Sequence, residues 1–371
     1  MKNLQIEELQ PLKLPQLPDK PLVSVLIANY NYARYIGETL ESVLCQTYPD
    51  FEVIVCDDGS TDNSCEVIET YVQKDPRLKL VRKQNGGVAT ALNAAYRESN
   101  GQIVCLLDAD DLWIHNKLQK VIEAFQSDTK CGFVIHNVIQ IDGQGKFIKP
   151  TPMYKRLASG WMAPFALENG GIVDNIPPAS ALSVRRDVAD FIFPINEAFV
   201  RNADSFIFRL APFITVIGSV PEVLSRFRLH GANTTSSSTL TVDVMEREQI
   251  FLERMHQEQE QFLRNVYGAQ VAEKLKGLNF SVGVRHNLYL LARLKGAPKS
   301  ESREAHRQLV AHPQFSLQFG GSVHQRWLLQ WGEYLPDAIF AALFQQVYGA
   351  SRLKHLVRLI FWRAIAAEER T

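Results

Sequence analysis

Between Val23 and Leu107 the chain repeats one pattern: a short apolar run rich in β-branched residues, then a stretch whose apolar positions recur at helical spacing. Val23–Ala28 is too short for a helix, and its composition suits a strand buried on both faces. Ile36, Leu40, Val43 and Leu44 mark a helix that the turn residues Tyr48, Pro49 and Asp50 close. Phe51–Cys56 reads as a second strand, with Thr61 and Asp62 as caps for a helix running through Tyr71. Leu78–Val81 is a third strand. Gly86 and Gly87 then open a helix carrying Ala91, Leu92 and Ala95, and Ile103–Leu107 is the fourth strand. This alternation predicts a doubly wound α/β fold, a mostly parallel central sheet with helices on both faces.

In open α/β sheets ligands bind beyond the carboxyl ends of the strands. Three polar clusters fall there: Asn29–Asn31, Asp57–Ser60 and Asp108–Asp111. The last is the most costly, because carboxylates a few ångströms apart repel unless a cation or protons neutralise them. Oxygen donors without clustered cysteine or histidine select hard cations, so Mg²⁺ or Mn²⁺ is expected, bridging to a diphosphate. An isolated Asp-x-Asp triplet carries little weight, since a solvated turn gives the same residues. Its position after Ile103–Leu107 and before Trp113, with two other strand-end clusters upstream, is what matters.

Apolar residues make up 46% of the 371, enough for a sizeable core. Lysine plus arginine equal aspartate plus glutamate at 40 each, so the global positive field of a nucleic-acid binder is missing and no nucleic-acid partner is expected. Five cysteines, an odd number without a CxxC pair, point to a reducing cytoplasmic setting. Residues 1–20 are proline-rich, lack an apolar signal-peptide core and are expected to form an extended tail. No run reaches the roughly 18–20 apolar residues of a membrane-spanning helix. The Ser/Thr-rich Thr234–Thr241 reads as a linker, dividing a domain over 21–238 from a helical region over 239–371. Near its end, Ser351–Ala367 is a basic amphipathic helix, suited either to peripheral contact with the cytoplasmic membrane face or to packing on protein. Trp327, Trp331 and Trp362 read as packing anchors.

The segments VSVLIANYNYARYIGETLESVLCQTYPDFEVIVCDDGSTDNS and QNGGVATALNAAYRESNGQIVCLLDADDLW resemble family 2 glycosyltransferases, and ADSFIFRLAPFITVIGSVPEVLSRFRLHGANTT is a looser match. The resemblance implies a GT-A fold and an inverting transfer from a nucleotide diphosphate sugar, a UDP-sugar favoured, to a glycan or lipid-linked acceptor. Cell-surface polysaccharide or glycolipid assembly would be the setting. It implies that Tyr30 stacks on the base, that Asp58 accepts from a base nitrogen, and that Ala28, Asn85, Gly86, Asn93 and Asp108 lie against the donor. Asp110, Asp111 and His230 are the implied metal ligands and Asp204 the implied general base, with Arg226 or Arg228 near the diphosphate. Leu92 departs from the family, which often has arginine there. Each position has a plainer reading: a core tyrosine, an N-cap aspartate, a surface carboxylate, a structural histidine. Two rival functions follow: a silent nucleotide-sugar or glycan-binding scaffold, and a nucleotidyltransferase. The second lacks its glycine-rich phosphate loop after the first strand, where Asn29, Tyr30 and Asn31 stand.

Overall fold

The structure is a computed structural model and describes residues 9–230 and 240–349. The amphipathic segment Ser351–Ala367, Trp362 and most of the Ser/Thr-rich stretch lie outside the described residues. Two compact units are formed. The first takes 9–230 together with Glu258–Lys276, the second 240–257 and 277–349.

The first unit is built on eight strands: β1 Val23–Asn29, β2 Phe51–Asp57, β3 Leu78–Arg82, β4 Ile103–Leu106, β5 Leu112–Trp113, β6 Cys131–Asp142, β7 Leu182–Arg185 and β8 Val216–Leu229. They lie in the order β3-β2-β1-β4-β7-β6-β8-β5. The β3-β2-β1-β4 half is parallel, as the alternating sequence demands. In the other half β7 runs antiparallel to both β4 and β6, so the sheet is mixed. The helices α1 Ile36–Leu44, α2 Ser64–Val72, α3 Val88–Arg97 and α4 Lys117–Ser127 follow β1, β2, β3 and β5. Val23, Val25 and Ile27 join Ile36, Leu40, Val43, Leu118 and Ile122 in one core cluster. Leu26 and Ile54, equally buried, point to the opposite face by strand alternation.

Further on come α5 Ala163–Glu168, α6 Arg186–Ile192, α7 Ser205–Leu210 and the long α8 Val242–Tyr267. The end of α8 belongs to the first unit because Gln259 donates to the carbonyls of Gly171, at 2.6 Å, and Arg209, at 3.0 Å. The described part of the N-terminal tail is extended yet tied down, Leu12 N–H to Ile214 O at 2.7 Å and Arg185 to Pro15 O at 2.5 Å. The second unit is helical, around Met245, Tyr289, Leu309, Leu328, Phe340 and Phe344. Trp327 packs against that core as expected, but Trp331 does not and is 50% exposed.

Candidate active site

At the ends of β1 and β2 two adjacent carboxylates part company. Asp57 accepts from Asn29 Nδ2 at 2.7 Å and from the Ser60 amide and hydroxyl at 2.9 and 2.6 Å. Burial works against its charge, but the Ser60 and Asn29 hydrogen bonds win and hold its pKa below the usual carboxylate range. Asn31, at φ 59°, accepts at Oδ1 from the Thr61 and Asp62 amides, fixing the loop that leads into α2. Tyr30 between them is left 44% exposed, its ring available to a ligand.

Asp58 turns the other way, toward the loop after β3. It accepts from Lys83 Nζ at 2.5 Å and from the amides of Gly86 and Gly87 at 3.0 and 2.7 Å. The loop needs Gly87: at φ +90° an added Cβ would sit 2.8 Å from Val200 Cγ1. Lys83 was not foreseen from the sequence; its only signal is its place just before the Asn85–Gly87 loop. Asn85 and Gly86 are exposed and Ala28 is half-buried. Asn93 is buried instead, and both ends of its carboxamide clamp the Ile195 backbone, at 2.8 and 2.7 Å. It therefore positions the segment around Ile195 rather than presenting its amide to a donor.

The acidic run is a tight turn, Asp111 N–H bonding Asp108 O at 3.1 Å. Its members are again sorted by distant partners. Asp111 Oδ2 accepts from the Ser180 hydroxyl at 2.6 Å and Oδ1 from the Arg228 amide at 2.7 Å. Fully buried, Asp111 anchors the turn through these two bonds. Arg228 is also redirected: its guanidinium donates to Asp110 O and Glu38 Oε2, both at 2.7 Å, and lies over Tyr35. It braces the turn from behind instead of reaching for a diphosphate. Ser180, Glu38 and Tyr35 escaped sequence reasoning, because nothing local links them to the acidic run.

Asp110 is the carboxylate paired with His230, Nε2 to Oδ2 at 2.8 Å, and His230 stacks on Tyr35 with centroids 4.8 Å apart. Burial pushes Asp110 up, and the His230 hydrogen bond offsets part of that. Asp108, partly open to solvent, is pushed well above the usual range by burial and then by the charges of Asp111, Asp110 and Asp204. Asp111 is raised well above it too, by burial first and the Asp110 charge next. Asp204, at the head of α7, makes no side-chain capping bond. Burial raises it to about 6, against partial compensation from the Ser205 amide and its own. His230 is thus bonded to Asp110, and the charges of Asp111, Asp110 and Asp204 all act on Asp108. Among the described residues no three His, Cys, Asp or Glu side chains form a ready metal cage. Asp110 and His230 are the two donors that could hold one ion. Trp161 and Phe165 are half-buried, and Pro177, which stands three residues before Ser180, is buried.

A sheet parallel through β3-β2-β1-β4, with its acidic groups gathered at the carboxyl ends, is the architecture of a GT-A glycosyltransferase domain. Comparison with known proteins gives the family. The model of "Glycosyl transferase family 2" matches residues 24–189. An uncharacterized glycosyltransferase of Nostoc sp. is 37% identical over 253 residues, 67% of this chain and 78% of that protein. The hyaluronan synthase of Pasteurella multocida is 36% identical over 138 residues, 37% of this chain but only 14% of the synthase. The crystal structure of S. aureus TarS 1–349 in complex with UDP-GlcNAc shares the fold, with a TM-score of 0.53 at 17% identity over 88% of this chain and 91% of that one. The chain belongs to glycosyl transferase family 2.

Proposed function

We propose that the chain is an inverting, metal-assisted glycosyltransferase that moves a sugar from a nucleotide diphosphate donor, a UDP-sugar favoured, to a hydroxyl of a glycan or lipid-linked acceptor. The observation that carries this reading is Asp204: a recessed carboxylate raised to about 6, electrostatically coupled to the strand-end acidic turn. A base of that pKa is ionised at neutral pH yet basic enough to take the proton of an attacking hydroxyl. Attack from the face opposite the diphosphate inverts the anomeric centre.

Tyr30 offers its exposed ring to the nucleobase. Asp58 has used three of its roughly four acceptor positions, leaving one for a base N–H. Ala28, Asn85 and Gly86 provide a low wall there, and Asp108, half open beside the turn, faces the ribose side. Asn93 acts by holding Ile195. Asp110 and His230 suit Mg²⁺ or Mn²⁺, which typically takes one or two protein donors and fills its shell with phosphate oxygens and water. Such an ion, when bound, stabilises the charge of the departing nucleotide diphosphate.

The setting we favour is surface polysaccharide assembly; a hyaluronan synthase among the relatives supports it. All five cysteines are free, in keeping with a cytoplasmic location. No helix among the described residues is long and apolar enough to cross a membrane; peripheral contact would fall to 351–367 and is tested by flotation with anionic vesicles. The central experiment measures release of nucleotide diphosphate from a panel of donors, with acceptor glycans and with or without Mn²⁺. A protein that binds donor and metal but turns over none of them is a silent scaffold, and the reading fails.

A further inference from the structure

The second unit contains a concavity of about 1000 Å³, at the upper end of the roughly 300–1,000 Å³ of small-molecule sites. Its floor is a satisfied charged network. Arg293 is buried and donates to Gly332 O at 2.6 Å, Leu335 O at 2.9 Å and Asp337 Oδ1 at 3.0 Å. Ser302 donates to Glu333 at 2.7 Å. Arg293 is buried here and the Glu333 side chain is only 9% exposed, whereas the Asp337 side chain is 76% exposed.

The rim differs. Lys299 and Arg303 line the groove from exposed positions, and among the described residues neither has an ion-pair partner. Tyr334 forms part of the wall at 76% exposure. Trp331, 50% exposed, has its ring centroid 6.2 Å from that of Tyr334. With Trp327 and Leu335 these two rings also line an adjoining hollow of about 330 Å³. Single exposed apolar side chains are ordinary, but neighbouring large rings beside a groove call for a partner.

Open aromatic faces next to unpaired cations fit one ligand chemistry. The C–H face of a pyranose ring stacks on an aromatic ring, its hydroxyls stay hydrated, and an acidic substituent pairs with a guanidinium or ammonium group. We propose that this groove binds an anionic oligosaccharide, its sugar rings against Tyr334 and Trp331 and its carboxylate or phosphate groups against Lys299 and Arg303. A bilayer is a poorer match, since a face that enters lipid presents continuous apolar surface, whereas this groove is lined by Arg293, Glu333 and Asp337. That the bound glycan is the acceptor rests on the transferase reading; its binding does not.

The test titrates the full chain with a hyaluronan hexasaccharide, with phosphorylated pentamannose, with neutral chitohexaose and with phosphatidylglycerol vesicles, followed by calorimetry. At least one anionic saccharide should bind, more weakly as salt rises, while chitohexaose binds at least tenfold less tightly. Tyr334→Ala and the double variant K299A/R303A should each weaken binding roughly tenfold, about 1.4 kcal/mol. All three positions are exposed, so an unchanged melting curve and unchanged nucleotide diphosphate binding are expected alongside. Equal affinity for the neutral chain, no saccharide binding at all, binding to vesicles alone, or variants that bind like the parent would each overturn the proposal. Because titration needs no turnover, its failure is separate from failure of the transferase reading.

Discussion

Replacing Asp204 by Asn should make the protein more stable at neutral pH and inactive. The carboxyl is raised from 3.8 to about 6 by burial. A raised carboxylate keeps its proton longer when folded than when unfolded, so between those two values the native state binds more protons and stability falls as pH rises. Above about 6.5 the whole penalty is present. Two units at 1.36 kcal/mol each give roughly 3 kcal/mol, and partial opening to solvent reduces this to about 1–3 kcal/mol. Asparagine keeps the shape and an acceptor oxygen for the Ser205 amide without carrying the charge. Urea unfolding of both proteins in EDTA, from pH 4 to 8, measures the effect. The curves should lie close near pH 4 and separate progressively, the variant the more stable, reaching a plateau above about 6.5. In parallel, wild-type kcat/KM should climb with pH through about 6, and the variant should lose roughly 10²–10⁴ of it. A stability difference independent of pH, or a variant less stable at pH 7.5, refutes the burial argument. Near-native turnover refutes the base.

Three further outcomes are expected. Asp110→Ala should abolish most transfer and remove Mn²⁺-dependent donor binding, and EDTA should reproduce the loss in the parent protein, both read by isothermal titration with a nucleotide diphosphate. Ser180→Ala strips the Asp111 Oδ2 of a donor and the Asp108 amide, which bonds the Ser180 hydroxyl at 3.0 Å, of an acceptor, so stability should drop by about 1–3 kcal/mol, with kcat falling more than donor affinity; Ser180→Thr should restore part of both. Gly87→Ala forces a Cβ into left-handed backbone against Val200, and a melting shift equivalent to more than ~1 kcal/mol with weakened nucleotide binding is expected.

The parallel half of the sheet was legible because each of its strands is an apolar run bounded by turn residues, and each helix shows its own period. The mixed half, where β6 pairs parallel with β8 while β7 runs against both its neighbours, was not. Strand β7 is only Leu182–Arg185, and β6 and β8 pair through register shifts near His136 and Asn137 that no local pattern announces. At the site, strand-end position pointed to the acidic run, and the family resemblance to Asp58, Asp204 and His230. They could not say what Asn93, Asp111 and Arg228 do, since their partners are Ile195, Ser180 and Glu38, far off in sequence. Trp331 looked like a packing anchor because tryptophan usually is one; only the fold places it outside.

The two carboxylate pairs follow one logic. In Asp57–Asp58, at the end of β2, and in Asp110–Asp111, in the turn before β5, one member is bonded into the scaffold. That member is decided by contacts spanning 69 and 117 residues for Asp111 and by the adjacent Ser60 for Asp57. The other member is matched in each case to a basic group from a later segment, Lys83 for Asp58 and His230 for Asp110. On the proposed reading, a donor's base and its metal-bound diphosphate would have to share or displace those partners. Lys83→Met should then act oppositely to Asp58→Asn on the Gly86–Gly87 loop. Without Lys83 the carboxylate still receives both glycine amides and gains a free acceptor position, so base recognition should survive; without the full carboxylate charge both amide bonds weaken and it should not.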